Sequence, residues 1–144
     1  MPTTAETVKF LRKAPLFDGL KQHHLELLSK RCVEREYLAG QAIVTQGLGG
    51  EGFFVVVSGQ AEAVRERSDG SQLVVNTFGP TNFFGELALL DDGLRTATVV
   101  TTEPTKCLVL TRWDFLGTLR EDAEMAVEVL QELAKRFRVA LHSL

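Results

Sequence analysis

Residues Phe83–Val100 read FFGELALLDDGLRTATVV. Two phenylalanines lead into Gly85, and good helix formers follow from Glu86 to Leu90. The segment DDG, Asp91–Gly93, then breaks any helix, and a β-branched run begins after Arg95. Gly85 permits a close backbone approach or an unusual φ. The helix formers are enough for a single turn. A helix start presents unpaired amide hydrogens and a partial positive charge, which attract anions. Ala88 is small enough to let an anion approach. Arg95 can meet a phosphate bidentately and keeps its charge when buried. Thr96 adds a hydroxyl beside it. Glu86 would be repelled by phosphate, but it can accept hydrogen bonds from sugar hydroxyls. The pattern therefore suits a phosphorylated sugar better than free phosphate. The alternatives are that Glu86 and Arg95 pair with each other, or that both face water.

Outward from this stretch, the middle of the chain is a series of short β-rich runs: QAIVTQ, GFFVVVSG, QAEAVRER, SQLVVNTF, RTATVVTT and TKCLVLT. Gly40, Gly47, Gly59, Gly70 and Gly79 punctuate them. Asp69-Gly70 is a hairpin signal between two of the runs. Many short strands at this spacing indicate a sandwich, jelly roll or barrel rather than βαβ units.

Both ends read as helix. Thr3 and Glu6 are spaced as a capping box. Val8, Leu11 and Ala14 share a face, and Pro15 stops the run, with Leu16 and Phe17 packing beneath. A second helix is expected over about 21–31, with Leu25 and Leu28 on one face. After the strands, Thr111 and Asp114 start a short helix reaching about Arg120, with Trp113 as a packing residue. Ala126, Leu130, Leu133, Phe137, Ala140 and Leu144 then form one apolar stripe on a long helix. Its partner is the β-body, a ligand or a second copy.

The chain has 144 residues, which suits one domain, and 44% of them are hydrophobic, enough for a core. The net charge of −3 argues against nucleic-acid binding by bulk electrostatics. No run is long enough to cross a bilayer, and the N-terminus lacks an apolar signal core. Cys32 and Cys107 form no metal or redox motif, so a reduced cytoplasmic setting fits. No catalytic set appears. His23 and His24 are neighbours on a helix and are expected to point apart. With His142, none lies in the β-rich middle, where a metal-dependent jelly-roll enzyme would hold its metal. No metal or cofactor is expected. Lys135–Arg138 reads as a solvated helix face.

The segments FGELALL and RTATV closely resemble the phosphate-binding cassette of cyclic nucleotide-binding domains, the family of catabolite activator proteins, regulatory subunits of cyclic-AMP-dependent kinase and cyclic-nucleotide-gated channels. PLFDGL at Pro15–Leu20, YLAGQAIVTQG and FFVVVSGQAEAV resemble its opening motif and early strands. The resemblance implies an α+β fold: an eight-stranded antiparallel β-roll, or jelly roll, over about 33–111, with the cassette at 83–98. N-terminal helices over about 4–31 and two C-terminal helices over about 112–144 would flank it, all within a single domain spanning 1–144. It implies that Glu86 binds the ribose 2′-hydroxyl and Arg95 the cyclic phosphate. Gly85, Leu87 and Ala88 would supply backbone contacts, and Thr96 would touch phosphate or base. The final helix would cover the base, with Leu130, Leu133 and Phe137 as lid residues. Glu128, Gln131 and Glu132 could bond a base edge or form a solvated face. The implied function is a regulatory sensor, not an enzyme, that binds cyclic AMP in preference to cyclic GMP and moves its C-terminal helix in response. A homodimer through that helix is the expected assembly, with no nucleic-acid contact and no membrane insertion. The alternatives are a non-binding interaction domain of the same fold and a metal-dependent jelly-roll enzyme. One departure stands out: after Gly47 the family often has an acidic residue, and here it is Leu48, in the run GLGGEG, with Glu51 at a later acidic position.

Overall fold

The β-rich runs pair into two sheets. The computed structural model describes residues 2–144. Its strands are β1 (Val33–Tyr37), β2 (Ala42–Val44), β3 (Gly52–Ser58), β4 (Ala61–Glu66), β5 (Gln72–Phe78), β6 (Phe83–Phe84), β7 (Thr98–Thr101) and β8 (Thr105–Thr111). One sheet has the order β1-β8-β3-β6 and the other β2-β7-β4-β5. Every pairing is antiparallel, so the eight strands among the described residues form the expected β-roll. The helices are α1 (Thr4–Arg12), α2 (Gln22–Arg31), α3 (Arg112–Glu121) and α4 (Ala123–His142). Short 3₁₀ turns span Pro15–Phe17 and Glu86–Leu89. No described helix is long and apolar enough to cross a membrane. The chain divides into two compact units: a strand unit, Cys32–Arg112, and a helical unit that joins the N-terminal segment through Arg31 with Trp113–Leu144.

In the strand unit, the inward faces of both sheets meet in one core. Phe54, Val56, Phe84, Cys107 and Val109 come from one sheet; Val44, Ala61, Ala63, Phe78 and Val99 come from the other. Phe84 stacks on Phe54 with centroids 5.1 Å apart and the rings 7° from parallel, and Phe78 tilts against it at 5.0 Å. This anchors the residue immediately before the cassette turn. Burial pushes the Cys107 thiol up to about 12, so it stays protonated and unreactive at neutral pH. At the β4–β5 hairpin, Gly70 takes a φ of 83° and the Asp69 carboxylate accepts hydrogen bonds from the Ser71 amide and hydroxyl. Those bonds hold the Asp69 carboxyl below its ordinary value.

In the helical unit, Thr3 and Glu6 close the capping box. Val8, Leu11, Ala14, Leu16, Phe17, Leu25 and Leu28 are all buried. Three expectations change. Trp113 is exposed; the packed aromatic of α3 is Phe115, tilted on Phe17 at 5.7 Å. His23 and His24 do not splay: His24 is buried and His23 exposed, yet their rings lie 4.1 Å apart. The buried face of α4 is Met125, Val129 and Glu132, beginning under the N-cap Asp122, whose Oδ1 accepts from the Met125 amide. In the stripe expected to be covered, Leu130, Phe137, Ala140 and Leu144 are exposed, while Ala126 and Leu133 are half-buried. The helix carries apolar residues on two neighbouring faces. Periodicity marks both, and only packing selects one.

Candidate functional site

The core stack ends at Phe84, and Gly85 turns the chain at once with a φ of 85°. The 3₁₀ turn Glu86–Leu89 follows, with the Ala88 amide donating to the Gly85 carbonyl at 3.1 Å. Buried Ala88 and Leu89 hold the turn, while Glu86 is half-buried and Leu87 exposed. A side chain at Gly85 would meet the Gly52 carbonyl and the Arg95 guanidinium, in addition to the strain of its φ.

Arg95 is fixed twice. Its backbone pairs with the loop after β2: the Gly47 amide donates to the Arg95 carbonyl and the Arg95 amide to the Leu48 carbonyl, each at 2.9 Å. Its side chain lies among glycines. A Cβ at Gly50 would collide with Nε, Nη2 and Cζ, and one at Gly85 with both Nη atoms. Nη2–H donates to the Gly52 carbonyl at 2.8 Å, so the guanidinium takes a backbone carbonyl as its acceptor. Nε–H is buried with no hydrogen-bond partner. Burial alone pushes the guanidinium below its ordinary value, which is far enough above neutrality to leave it charged. A buried donor left unmatched on a cation costs free energy that an incoming anion can offset.

All six residues expected at the ligand, Gly85, Glu86, Leu87, Ala88, Arg95 and Thr96, line one cavity of about 420 Å³. Thr96 is exposed, and its carbonyl accepts from Arg65 Nε at 3.3 Å. Leu130, Leu133 and Phe137 lie on α4 in the helical unit. There Glu132 is buried, Glu128 half-buried and Gln131 exposed, so these three do not form one solvated face.

Two features of the site were not legible in the sequence. GLGGEG reads as a loose loop, but Gly50 makes space for the guanidinium and Gly52 offers it a carbonyl. The departure at Leu48 is immaterial to this arrangement, because the loop uses the residue's carbonyl and its side chain is exposed. Arg112, at the end of the strand unit, donates from Nη1 to the Asp91 carbonyl at 2.9 Å and to the Gly50 carbonyl at 3.3 Å. It thereby ties the end of the cassette turn to the glycine loop. Nothing in its local sequence signals this.

A second cavity in the strand unit, about 460 Å³, is lined by Tyr37, Leu38, Ser58 and Lys106 among others. Its cation, Lys106, lies 3.6 Å from Glu36, whereas Arg95 in the other cavity pairs with no carboxylate among the described residues and gives Nη2–H to a backbone carbonyl. Among the described residues, His23, His24 and Asp122 are grouped closely enough to hold a metal ion. However, His24 Nδ1 accepts from the Lys21 amide at 3.2 Å, which places the imidazole proton on Nε2. Nε2 then carries the proton, with no hydrogen-bond partner and Asp122 Oδ2 3.6 Å away, so in this tautomer it has no lone pair for a metal.

The β-roll ends a short strand in a glycine-led turn and sets a half-buried arginine beside it. The chain belongs to the cyclic nucleotide-binding domain family, whose sequence pattern matches residues 34–122. It is 34% identical over 130 residues to the cyclic AMP receptor protein of Thermus thermophilus, covering 90% of this chain and 60% of that one. It is 42% identical over 91 residues to a cAMP-dependent protein kinase regulatory subunit of Mycosarcoma maydis, covering 63% of this chain and 17% of that one. The structure superposes on the N-terminal domain of a transcriptional regulator from Streptomyces coelicolor with a TM-score of 0.83 at 30% identity, covering 93% of this chain and 94% of that one. The chain spans about three-fifths of the length of the bacterial curated relatives it matches, 60% and 58%.

Proposed function

We propose that this chain binds a cyclic purine nucleotide, cyclic AMP in preference to cyclic GMP, and acts as a regulatory sensor rather than an enzyme. The observation that carries this reading is that Arg95 lines the same cavity as the cassette turn, Gly85–Ala88, with its guanidinium beside Gly85. In this reading the cyclic phosphate takes Arg95 and the amides of Gly85, Leu87 and Ala88. Glu86 accepts from the ribose 2′-hydroxyl, and Thr96 touches phosphate or base. The preference for cyclic AMP is supported by the relatives whose names specify that nucleotide. Neutralising the Arg95 charge tightens the turn and shifts the population of α4, with Leu130, Leu133 and Phe137 as lid residues. The setting is the cytoplasm, without nucleic-acid contact by this chain. Calorimetric titration with both nucleotides tests the reading. Saturable micromolar binding with cyclic AMP the tighter ligand is expected; binding of neither nucleotide would leave the chain a non-binding domain of the same fold.

The exposed face of α4 supports a homodimer. Val127, Leu130, Ala134, Phe137 and Leu141 are all exposed and recur at alternating spacings of three and four. That is the period of a coiled-coil seam. Phe137→Asp, which alters a residue 65% exposed within the chain, is expected to convert a dimer to a monomer in sedimentation equilibrium while leaving the far-ultraviolet circular dichroism spectrum unchanged. An unaltered sedimentation mass would remove α4 from the dimer interface.

A further inference from the structure

We infer that Gln46 is a positioning residue for Arg95, acting through a strap of backbone at residues 46–50. The inference deepens the proposed nucleotide site and rests on that reading for its functional consequence. The Gln46 side chain makes both hydrogen bonds that a neighbouring strand would make. Nε2–H donates to the Glu66 carbonyl at 3.1 Å, and Oε1 accepts from the Glu66 amide at 2.7 Å. Its own amide donates to Thr98 Oγ1 at 2.9 Å. Residue 46 is therefore fixed to the end of β4 and the start of β7 at the same time.

From Gln46 the strap runs directly to Arg95. Gly47 turns the chain with a φ of 81°, and its amide holds the Arg95 carbonyl. The Leu48 carbonyl holds the Arg95 amide, Gly49 bridges Leu94, and Gly50 sits against the guanidinium. Three of the strap's five residues are glycines, and the exposed Leu48 side chain does not anchor it. A segment with so little apolar burial is held by its polar anchors. At its far end those are Arg112, bonded to the Gly50 carbonyl, and the ion pair of Arg35 with Glu51. At its near end the side-chain anchors are Gln46, bonded to Glu66, and the Thr98 hydroxyl, which holds the Gln46 amide. Loss of the Gln46 carboxamide removes the tie to β4 and loosens the strap, and with it the backbone that aims Arg95. Because glutamine is uncharged, its removal changes the position of the cation without changing the field at the site.

The test reads position and affinity separately. In the nucleotide-free protein, Gln46→Ala is expected to speed hydrogen exchange at the Arg95 and Gly47 amides roughly tenfold or more, while amides of β3 keep their wild-type rates. Its affinity for cyclic AMP is expected to fall roughly tenfold or more, since small misplacements of a binding group are costly. Gln46→Met keeps the length and neutrality of the side chain but loses both hydrogen bonds; it should behave as Gln46→Ala does, and it serves as the second variant if Gln46→Ala does not fold. Unchanged exchange at Arg95 would overturn the inference. So would exchange raised equally throughout β3, or unchanged affinity despite faster exchange at Arg95. If the wild type binds neither nucleotide, the proposed function fails, and the exchange measurement still decides whether Gln46 positions Arg95.

Discussion

Arg95→Ala is expected to weaken cyclic nucleotide binding by about 2–5 kcal/mol, roughly thirtyfold to several thousandfold. The size follows from the burial of the guanidinium. In a wet, exposed site a single charge contact is worth little. Here the cation is enclosed by Gly50, Gly52 and Gly85, with one N–H given to a backbone carbonyl and Nε–H left without an acceptor. The same features predict the opposite trend for the free protein. Removing a half-buried cation whose buried Nε–H is unmatched should leave thermal stability without ligand unchanged or slightly raised. Titration calorimetry and thermal melts of the same variant check both halves. Affinity within threefold of wild type would sink the assignment of Arg95 as the phosphate contact, and a collapsed melting temperature would make it a structural residue instead.

Phe54→Ala is expected to lower unfolding free energy by about 3–5 kcal/mol, through lost burial and the cavity left behind. Phe54 is fully buried in the middle of β3 and stacks on Phe84. For a domain of this size the melting temperature should fall by roughly 6–20 °C. The cost has a functional side, because Phe84 is the last residue before the cassette turn. Its ring is held from both sheets, by Phe54 on one and Phe78 on the other. Chemical denaturation monitored by circular dichroism gives the loss directly. A change below about 1 kcal/mol would mean that the core repacks around the vacancy and that the stack does not anchor the cassette.

The two variants act on different parts of one design. Phe54 secures the platform from which the cassette springs, and Arg95 supplies the charge that the platform positions. Arg112 and Gln46 lie between them, closing the glycine loop at its two ends through side-chain bonds to backbone.

Much of this was legible in order along the chain. The strand runs, the Asp69-Gly70 hairpin and the Thr3–Glu6 cap depend on local periodicity and turn chemistry, and each appears where those signals lie. The six cassette residues share a cavity because they belong to one short turn and the strand entry after it. Expectations failed where two faces competed or where a residue acted through its backbone. On α4, Met125 and Val129 are buried while Leu130 and Phe137 are not, although all four fit a helical apolar pattern. At Leu48 the missing acidic side chain suggested a departure, yet the residue contributes a carbonyl, which every amino acid has.

The amino-acid sequence by itself determined the kinds and order of elements, because these rest on interactions between near neighbours and on alternation with a fixed period; the choice of an antiparallel β-roll among the all-β alternatives, and the identity of the cassette, came from the family resemblance of FGELALL and RTATV. Tertiary structure alone decided how Arg95 is held. The residues around its guanidinium come from positions 50, 52 and 85, its backbone is paired at 47 and 48, and the strap is pinned at 66, 98 and 112. Such a site is made by chain segments far apart in sequence meeting at one point, and most of its contacts are glycine space and backbone carbonyls. Neither leaves a side-chain signature to read.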